Sequence, residues 1–276
     1  MALMDQTRKQ LRQRVASLFD DITSLTATGN GTTTTFVDTF NVNTGAESFD
    51  GCEIHFTSGS NLDLDSRITT TTASTGTLTF TPARTSTATS DTAELYNRRN
   101  KGFRVQDYHR AINQAIEEYQ GVALIPVIES IAAAYDAETQ TFAIPSTTLE
   151  VHTVEFQDAD GIWQKIRPAR PRGGEGWTFE AASSVIRIEG DPAWEADGYS
   201  LRVHGYKRQD ALTADTSVVP FDSTALVYTA AANLCLSKVG SDQRYGSMAA
   251  SFLQMASRNA GRARTLRVPG SGRSRL

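Results

Sequence analysis

The sequence predicts an α+β fold: a helical core carrying an antiparallel β-sheet, plus a small all-β domain, barrel or sandwich, inserted into it. Three observations predict this. Helical periodicity at the N-terminus stops abruptly near residue 25, and the next 72 residues, Thr26 to Asn97, hold 21 threonines and frequent turn signals. Helical periodicity then resumes after Gly102 and yields to alternating strands before two closing helices.

The first helix rests on Leu11, Val15, Leu18, Ile22 and Leu25 at helical spacing, with Arg8, Lys9, Arg12 and Arg14 around the solvated side. It is expected to end near Leu25. In the threonine-rich region, strands are expected at Thr32 to Asp38, Cys52 to Thr57, Arg67 to Thr72, Thr77 to Thr81 and Thr92 to Tyr96, separated by turns such as Gly29-Asn30-Gly31 and Ser58-Gly59-Ser60. Five short strands with alternating apolar residues suit a small barrel or sandwich.

After Gly102, the residues Val105, Tyr108, Ile112, Ala115, Ile116 and Tyr119 form one helical face, and Gln106, Asp107, Arg110, Gln114 and Glu117 the other. Pro126 and Pro145 bracket an irregular stretch and a hairpin that joins Ile131 to Tyr135 with Thr141 to Ile144. Further strands are expected at Val151 to Gln157, Ile162 to Arg167, Val185 to Glu189 and Tyr199 to Tyr206. In the last of these, Tyr199, Leu201 and Val203 alternate with polar residues, as in a half-buried antiparallel strand. Asp222 caps a helix carrying Leu226, Ala230, Leu234 and Val239 that stops at Gly240. Ser241 opens the last helix, whose stripe is Tyr245, Met248, Ala249, Phe252, Met255 and Ala256. The expected organisation is a first helix over 1–25, the inserted β domain over 26–97, the helix-and-sheet core over 98–265 and a basic arm over 266–276.

With 276 residues, the chain can bury one large or two modest cores. Its net charge of -4 hides an asymmetry: the segment from Arg258 to Leu276 holds six arginines and no acid, which leaves an acidic body. Such a tail seeks an anionic partner, either an acidic protein surface or nucleic acid. Past Gly261 the Arg, Gly, Ser and Pro composition buries too little apolar area to order itself alone. Cys52 and Cys235 are expected as reduced thiols, the second packed in a helix. Met1 to Val15 carries charges where a secretory signal would be apolar, and the apolar run Val122 to Ile128 is too short to span a bilayer, so a soluble protein made in a cytoplasm is expected.

The residues suggest no catalytic constellation, no cofactor and no metal. Cys52 and His55 sit three apart on an expected strand and face opposite sides, which speaks against shared ligation. His109, His152 and His204 are far from one another in sequence and read as surface or hydrogen-bonded histidines. The glycine-rich run Arg172 to Trp177 lies between strands, lacks the phosphate-loop spacing and reads as a hairpin loop. Glu117 and Glu118 sit on the polar flank of a helix, where solvation explains them.

Several segments in this order resemble the head-to-tail adaptor (connector) proteins of tailed bacteriophages. They are the helix FRVQDYHRAINQAIEEYQ (Phe103 to Gln120), the stretch YDAETQTFAIPSTTLEVHTVEF (Tyr135 to Phe156), a strand at Trp163, DGYSLRVHGYKRQDALTAD (Asp197 to Asp215), and the two closing helices with a basic tail. The insert, Cys52 to Ala83, is similar to threonine- and glycine-rich phage modules. The resemblance implies a non-enzymatic virion protein of the neck between capsid and tail, made in the host cytoplasm. It implies a dodecameric ring under the portal protein whose other face receives the next neck or tail protein. Genomic DNA would pass through its channel without specific binding. The arm that docks on the portal would comprise Arg262, Arg264, Leu266, Arg267, Val268, Pro269, Arg273 and Arg275.

Alternatives remain at this point. One is another neck protein, a stopper or tail terminator. A second is a DNA-binding protein whose arm contacts phosphates, although the arm lacks stacking aromatics and the body is acidic. A third is a carbohydrate-binding module, which the scattered Trp163, Trp177 and Trp194 do not favour.

Overall fold

The structure, a computed structural model, describes residues 5–43, 48–97, 102–119, 125–134, 141–157, 160–169, 176–189 and 200–263. The chain begins with β1 (Gln6–Thr7), α1 (Arg8–Ser17), β2 (Thr23–Thr26), β3 (Thr35–Val37), β4 (Glu53–Phe56), β5 (Asp65–Thr72), β6 (Thr77–Thr81), β7 (Thr92–Tyr96) and α2 (Val105–Glu118). Seven strands follow: β8 (Ile125–Ala134), β9 (Thr141–Ala143), β10 (Thr148–Gln157), β11 (Trp163–Ile166), β12 (Gly176–Glu180), β13 (Val185–Glu189) and β14 (Ser200–Lys207). The chain then runs through β15 (Val218–Val219), α3 (Thr224–Lys238) and α4 (Arg244–Ala263). Among the described residues this is a mixed α+β fold with four α-helices and antiparallel sheets. It divides into two compact units, Met1–Tyr119 with Ala211–Arg262, and one centred on Gln120–Asp210.

In the first unit the threonine-rich region forms one continuous sheet of order β2-β7-β4-β5-β6-β3. An antiparallel bridge between Gly29 and Val37 brings the chain after β2 against β3, so the two edges curl toward each other into a half-barrel. Alternation sets its inside: Leu25, Phe36, Ile54, Phe56, Ile68, Leu78, Phe80 and Leu95 form one apolar cluster. A single sheet replaces the sandwich alternative.

The sheet has six strands because the expected first helix is shorter than its apolar spacing suggested. α1 ends at Ser17, Leu18 is exposed, and Asp20 takes a positive φ of 51° that a helix cannot continue through. Leu25, whose spacing continues the helical pattern, instead sits on β2 opposite Ala93 and inside the half-barrel.

α2 follows its expected pattern closely. Val105, Tyr108, Ala111, Ile112, Ala115 and Ile116 are buried, and Gln106, Arg110, Gln114 and Glu117 are exposed. Its first turn is satisfied by carboxylates: Asp107 accepts from the Arg104 N–H at 3.1 Å and Glu53 of β4 from the Val105 N–H at 2.8 Å. α3 is apolar and buried on nearly all sides, as befits a helix surrounded by its own unit. Its N-cap is Ser223, and Asp222 accepts from the Thr224 N–H at 2.9 Å. The helix ends at Lys238, two residues before Gly240. In α4, Ala249 and Ala256 are buried and Phe252 meets Phe19 edge-on at 5.7 Å. Met255, expected on the same stripe, is exposed.

The second unit holds a four-stranded sheet, β11-β10-β14-β8, and a three-stranded sheet, β12-β13-β9. Both contribute to one apolar cluster that includes Phe142, Val154, Phe156, Trp177, Ile186 and Leu201. Three expectations need correction here. The stretch containing Pro126 is not irregular: Ile125 to Ala134 is one strand at the sheet edge, where a proline without an N–H costs no ladder bond. It pairs with β14, whereas β9 pairs with β13, so the expected hairpin between them is not formed as a ladder. The glycine-rich run does not lie wholly in a hairpin loop. Gly176 and Trp177 begin β12, while residues 170–175 lie outside the described residues.

Candidate functional site

The densest polar constellation grows from the outer face of the half-barrel. Residues directly opposite each other in an antiparallel ladder share a face, and the register pairs His55 with Asp65 on one side and with Glu94 on the other. Tyr96 stands beside them, opposite Glu53. Strands whose inner residues are Ile54 and Leu95 therefore carry an outer row of ionisable groups. Solvent does not receive that row: His55, Glu94 and Tyr96 are buried.

What covers them is the side of α1 expected to face water. Arg8 and Arg12 lie four residues apart on one face of the helix, and Arg12 is fully buried. Its Nε donates to Glu94 Oε2 at 3.2 Å and to Tyr96 Oη at 2.8 Å, and its Nη2 donates to Glu94 Oε2 at 2.8 Å. Nη1 and Nη2 donate to the two oxygens of Asp215 at 2.5 and 2.7 Å, and Nη1 also donates to His109 Nε2 of α2 at 2.9 Å. The planar fork is thereby used on all sides, which is why arginine suits the position.

Asp215 arrives from the turn that precedes β15. That turn is tied to the start of α1 by main-chain bonds, Arg8 N to Ser217 O at 2.8 Å and Lys9 N to Asp215 O at 3.3 Å. Its carboxylate also accepts from Arg8 Nε at 3.1 Å and pairs with His55 Nε2 at 3.1 Å. The other ring nitrogen of His55, Nδ1, lies 2.5 Å from Asp65. Ionised carboxylates only accept, so an imidazole held between two of them donates from both nitrogens and is an imidazolium.

The electrostatics follow from this geometry. Burial alone would raise the Asp215 carboxyl, but its bonds to His55 and Arg12 outweigh that and hold it well below the usual range. Burial would lower His55, yet Asp215 and Asp65 raise it above the ordinary histidine value. His109 goes the other way: burial first, then the charges of Arg12 and Arg8, push it down to about 3, so it is the neutral acceptor of the group. Burial, followed by the field of Glu94, raises the Tyr96 phenol.

His55, Asp63 and Asp215 also bring three potential ligand atoms within 4.8 Å of one another, and Asp63 Oδ1 has no hydrogen-bond partner. Two guanidinium groups already stand there, with Arg12 on Asp215 and Arg8 3.9 Å from Asp63. Arg8, Arg12 and His55 thus place cationic side chains against the carboxylates of this group. The constellation joins the half-barrel, α1, α2 and the turn at Asp215 into one body.

Sequence reasoning missed this joint because Arg12, Glu94 and Asp215 are far apart in the chain, and alternation alone marks Glu94 and Tyr96 as merely outward. The other candidates fall as follows. His109 and His204 are hydrogen-bonded as expected, His204 to Glu155 at 2.9 Å beside Arg202, whose guanidinium lies 4.2 Å over the Trp163 ring. His152 packs edge-on against Tyr206 at 4.7 Å. Cys52 and Cys235 are buried thiols outside any disulfide, and burial pushes the Cys235 thiol up to about 11. Of the arm, Arg262 stands in the last turn of α4, and Arg264, Leu266, Arg267, Val268, Pro269, Arg273 and Arg275 lie outside the described residues. Among the described residues no helix is long and apolar enough to cross a membrane.

The fold is mixed α+β, and this buried polar cluster ties together the elements of the first unit. Residues 84–275 match the SU10 adaptor protein family, well over half the chain, and the protein belongs to that family. It is thus a phage structural adaptor. No curated protein matches it.

Proposed function

We propose that this protein is the head-to-tail adaptor of a tailed-phage virion. It forms a dodecameric ring beneath the portal, lines the channel through which the genome passes, and acts as a structural part and not as a catalyst. The helical part of 1–25 and residues 98–265 form the adaptor core, 26–97 together with the preceding strand β2 form the inserted module, and 266–276 form the arm. The arm, with Arg262, Arg264, Leu266, Arg267, Val268, Pro269, Arg273 and Arg275, docks on the portal protein, and the opposite face of the ring receives the next neck or tail component.

The observation that carries this reading is the family match itself, which runs from the end of the insert through α2, the second unit and α3–α4 to the penultimate residue. The arginines supply charge for an acidic groove, and Val268-Pro269 suits an extended segment laid along a sheet edge. A segment ordered only on docking can wrap its partner.

Deletion of 266–276 tests it. The truncated chain is expected to keep its melting midpoint and to lose co-sedimentation with purified portal rings, whereas undiminished portal binding would refute the docking role. Imaging of the virion neck reads the ring and its stoichiometry directly.

A further inference from the structure

A cavity of about 610 Å³ opens in the first unit where the end of α1, the Gly102-Phe103 entry to α2 and the start of α4 meet. A cleft of this size admits a side chain or a small ligand. Its lining shows which kind.

Phe19, Phe103, Tyr245 and Met248 make an apolar wall, in which the Phe103 ring meets that of Phe19 edge-on at 5.1 Å and that of Tyr245 at 6.0 Å. Asp20, Asp21 and Asp242 add carboxylates, against one lining cation, Arg244. That cation is engaged by Asp242 at 2.7 Å, while Asp21 is buried and accepts from the Phe103 N–H and the Tyr108 hydroxyl. Asp20 stands exposed at the rim, and among the described residues no cation pairs with it.

Carboxylates beside aromatic rings select a cation on an apolar stem. A guanidinium suits best, because its face stacks on a ring while its edge donates to a carboxylate. Lys238 already places its ammonium 4.2 Å from the centre of the Phe103 ring, which leaves Phe19 and Tyr245 as the rings for a second cation.

The chain carries such groups in its arm, Arg264, Arg267, Arg273 and Arg275, and reach sorts them. From Met248 at the cavity to Ala263 at the end of α4 is fifteen residues of helix, about 22 Å at roughly 1.5 Å each. At roughly 3.3 Å per extended residue, Arg264 and Arg267, one and four residues past Ala263, come back no more than about 13 Å. Arg273 and Arg275, ten and twelve residues past it, can come back about 33 and 40 Å. The distal pair alone can return to the cavity. Their tether holds them at a local concentration in the millimolar range, enough to fill a site of weak intrinsic affinity.

We propose that this cavity is a guanidinium site, filled in the free subunit by Arg273 or Arg275 of the chain's own arm folded back along α4. The inference goes beyond the adaptor reading, because it concerns the subunit before assembly. In that state the end of the arm is held while Arg264 and Arg267 stay uncovered.

The test uses the isolated full chain carrying p-benzoylphenylalanine in place of Ser274, between the two arginines, irradiated and mapped by mass spectrometry. The expected product links residue 274 to Phe19, Tyr245 or Met248 within one chain. Arg273→Gln with Arg275→Gln is expected to lower its yield roughly fivefold or more, and so is Asp20→Asn, which tolerates the positive φ and drops the charge. Arg264→Gln with Arg267→Gln should leave the yield unchanged. No product, a product confined to other residues, a product between two copies, or a yield indifferent to Asp20→Asn or to the distal pair overturns the proposal. Since no portal is present, such a failure leaves the adaptor reading standing, and loss of portal docking in its own test leaves this contact standing.

Discussion

Arg12 of α1 and Asp215 of the turn before β15 are joined by two hydrogen bonds of 2.5 and 2.7 Å, although 203 residues separate them in the chain. The pair closes the first unit on itself. The chain leaves that unit after α2 and builds the second, and on its return it is fastened to the first helix by a bidentate bond. Glu94 of the half-barrel grips the other edge of the same guanidinium. One side chain therefore links three separate stretches of sequence, and the inserted sheet is part of the body and not a bead on a linker.

Removing that side chain leaves two carboxylates buried with their principal cation gone. Arg12→Leu is expected to destabilise the first unit by about 3–5 kcal/mol, the cost of breaking a buried pair from one side. Arg12→Lys keeps the charge and loses the fork, so an intermediate loss is expected. Arg14→Ala, two residues on, removes a half-exposed group bonded to Gln6 and Ser223 and should cost far less. Urea denaturation of the three variants checks the order.

His109 sets an acid limit. Its folded pKa of about 3 lies below the ordinary histidine value, so below pH 6.5 the unfolded chain takes up a proton that the folded chain refuses. The stability it confers is complete above about pH 6.5 and declines as pH falls toward 3, by at most roughly 1.4 kcal/mol per pH unit. His109→Gln retains an acceptor for Arg12 and is expected to flatten that slope. Unfolding midpoints between pH 4 and 7 provide the comparison.

His55, whose ring stands edge-on 6.1 Å from that of His109, has the opposite sign. Its folded pKa is raised, so its contribution is complete below about 6.5 and is lost as pH rises through the folded value. The groups around it account for the direction: Asp65 and Asp63 from the β4–β5 side, Asp215 from the turn, Arg8 and Arg12 from α1, and His109 from α2. At pH 6, below the ordinary histidine value, nitrogen NMR is expected to find His55 protonated at both ring positions and His109 neutral. A neutral His55 would contradict the double carboxylate clamp.

How much of this was legible depends on whether the signal is local. β6, β7, β13 and the α2 stripe were readable, because alternation or helical spacing over a few residues fixes each. β2 was hidden by coincidence: Leu18, Ile22 and Leu25 continue the spacing of Leu11 and Val15, yet the helix ends at Ser17 and a positive φ at Asp20 turns the chain before Ile22 and Leu25. Pro126 disguised an edge strand, since only sheet position makes a proline harmless there. The polar joint was unreadable for a deeper reason. Arg8 and Arg12 look like a solvated flank until Glu94 and Asp215 are known to face them, and that pairing depends on the tertiary fold alone.

A second close contact in the first unit involves Gly102 and Asp21. Asp21 is buried and its Oδ2 accepts from the Phe103 N–H and from the Tyr108 hydroxyl, each at 2.8 Å. A Cβ on Gly102 would stand 2.0–2.2 Å from that carboxylate, nearer than any real contact, so either the carboxylate or the chain must move. Because the carboxylate is pinned by two donors, Gly102→Ala is expected to destabilise the unit by about 1–3 kcal/mol, the usual range for overpacking. Asp21→Asn removes the charge and keeps the shape, and it weakens the bonds to Phe103 and Tyr108. In the double variant Gly102→Ala with Asp21→Asn, the two losses should fall short of additivity, since the amide is held less firmly and yields to the methyl group. Denaturation of the two single variants and the double variant completes the cycle, and strict additivity would mean that the methyl group is accommodated without disturbing Asp21.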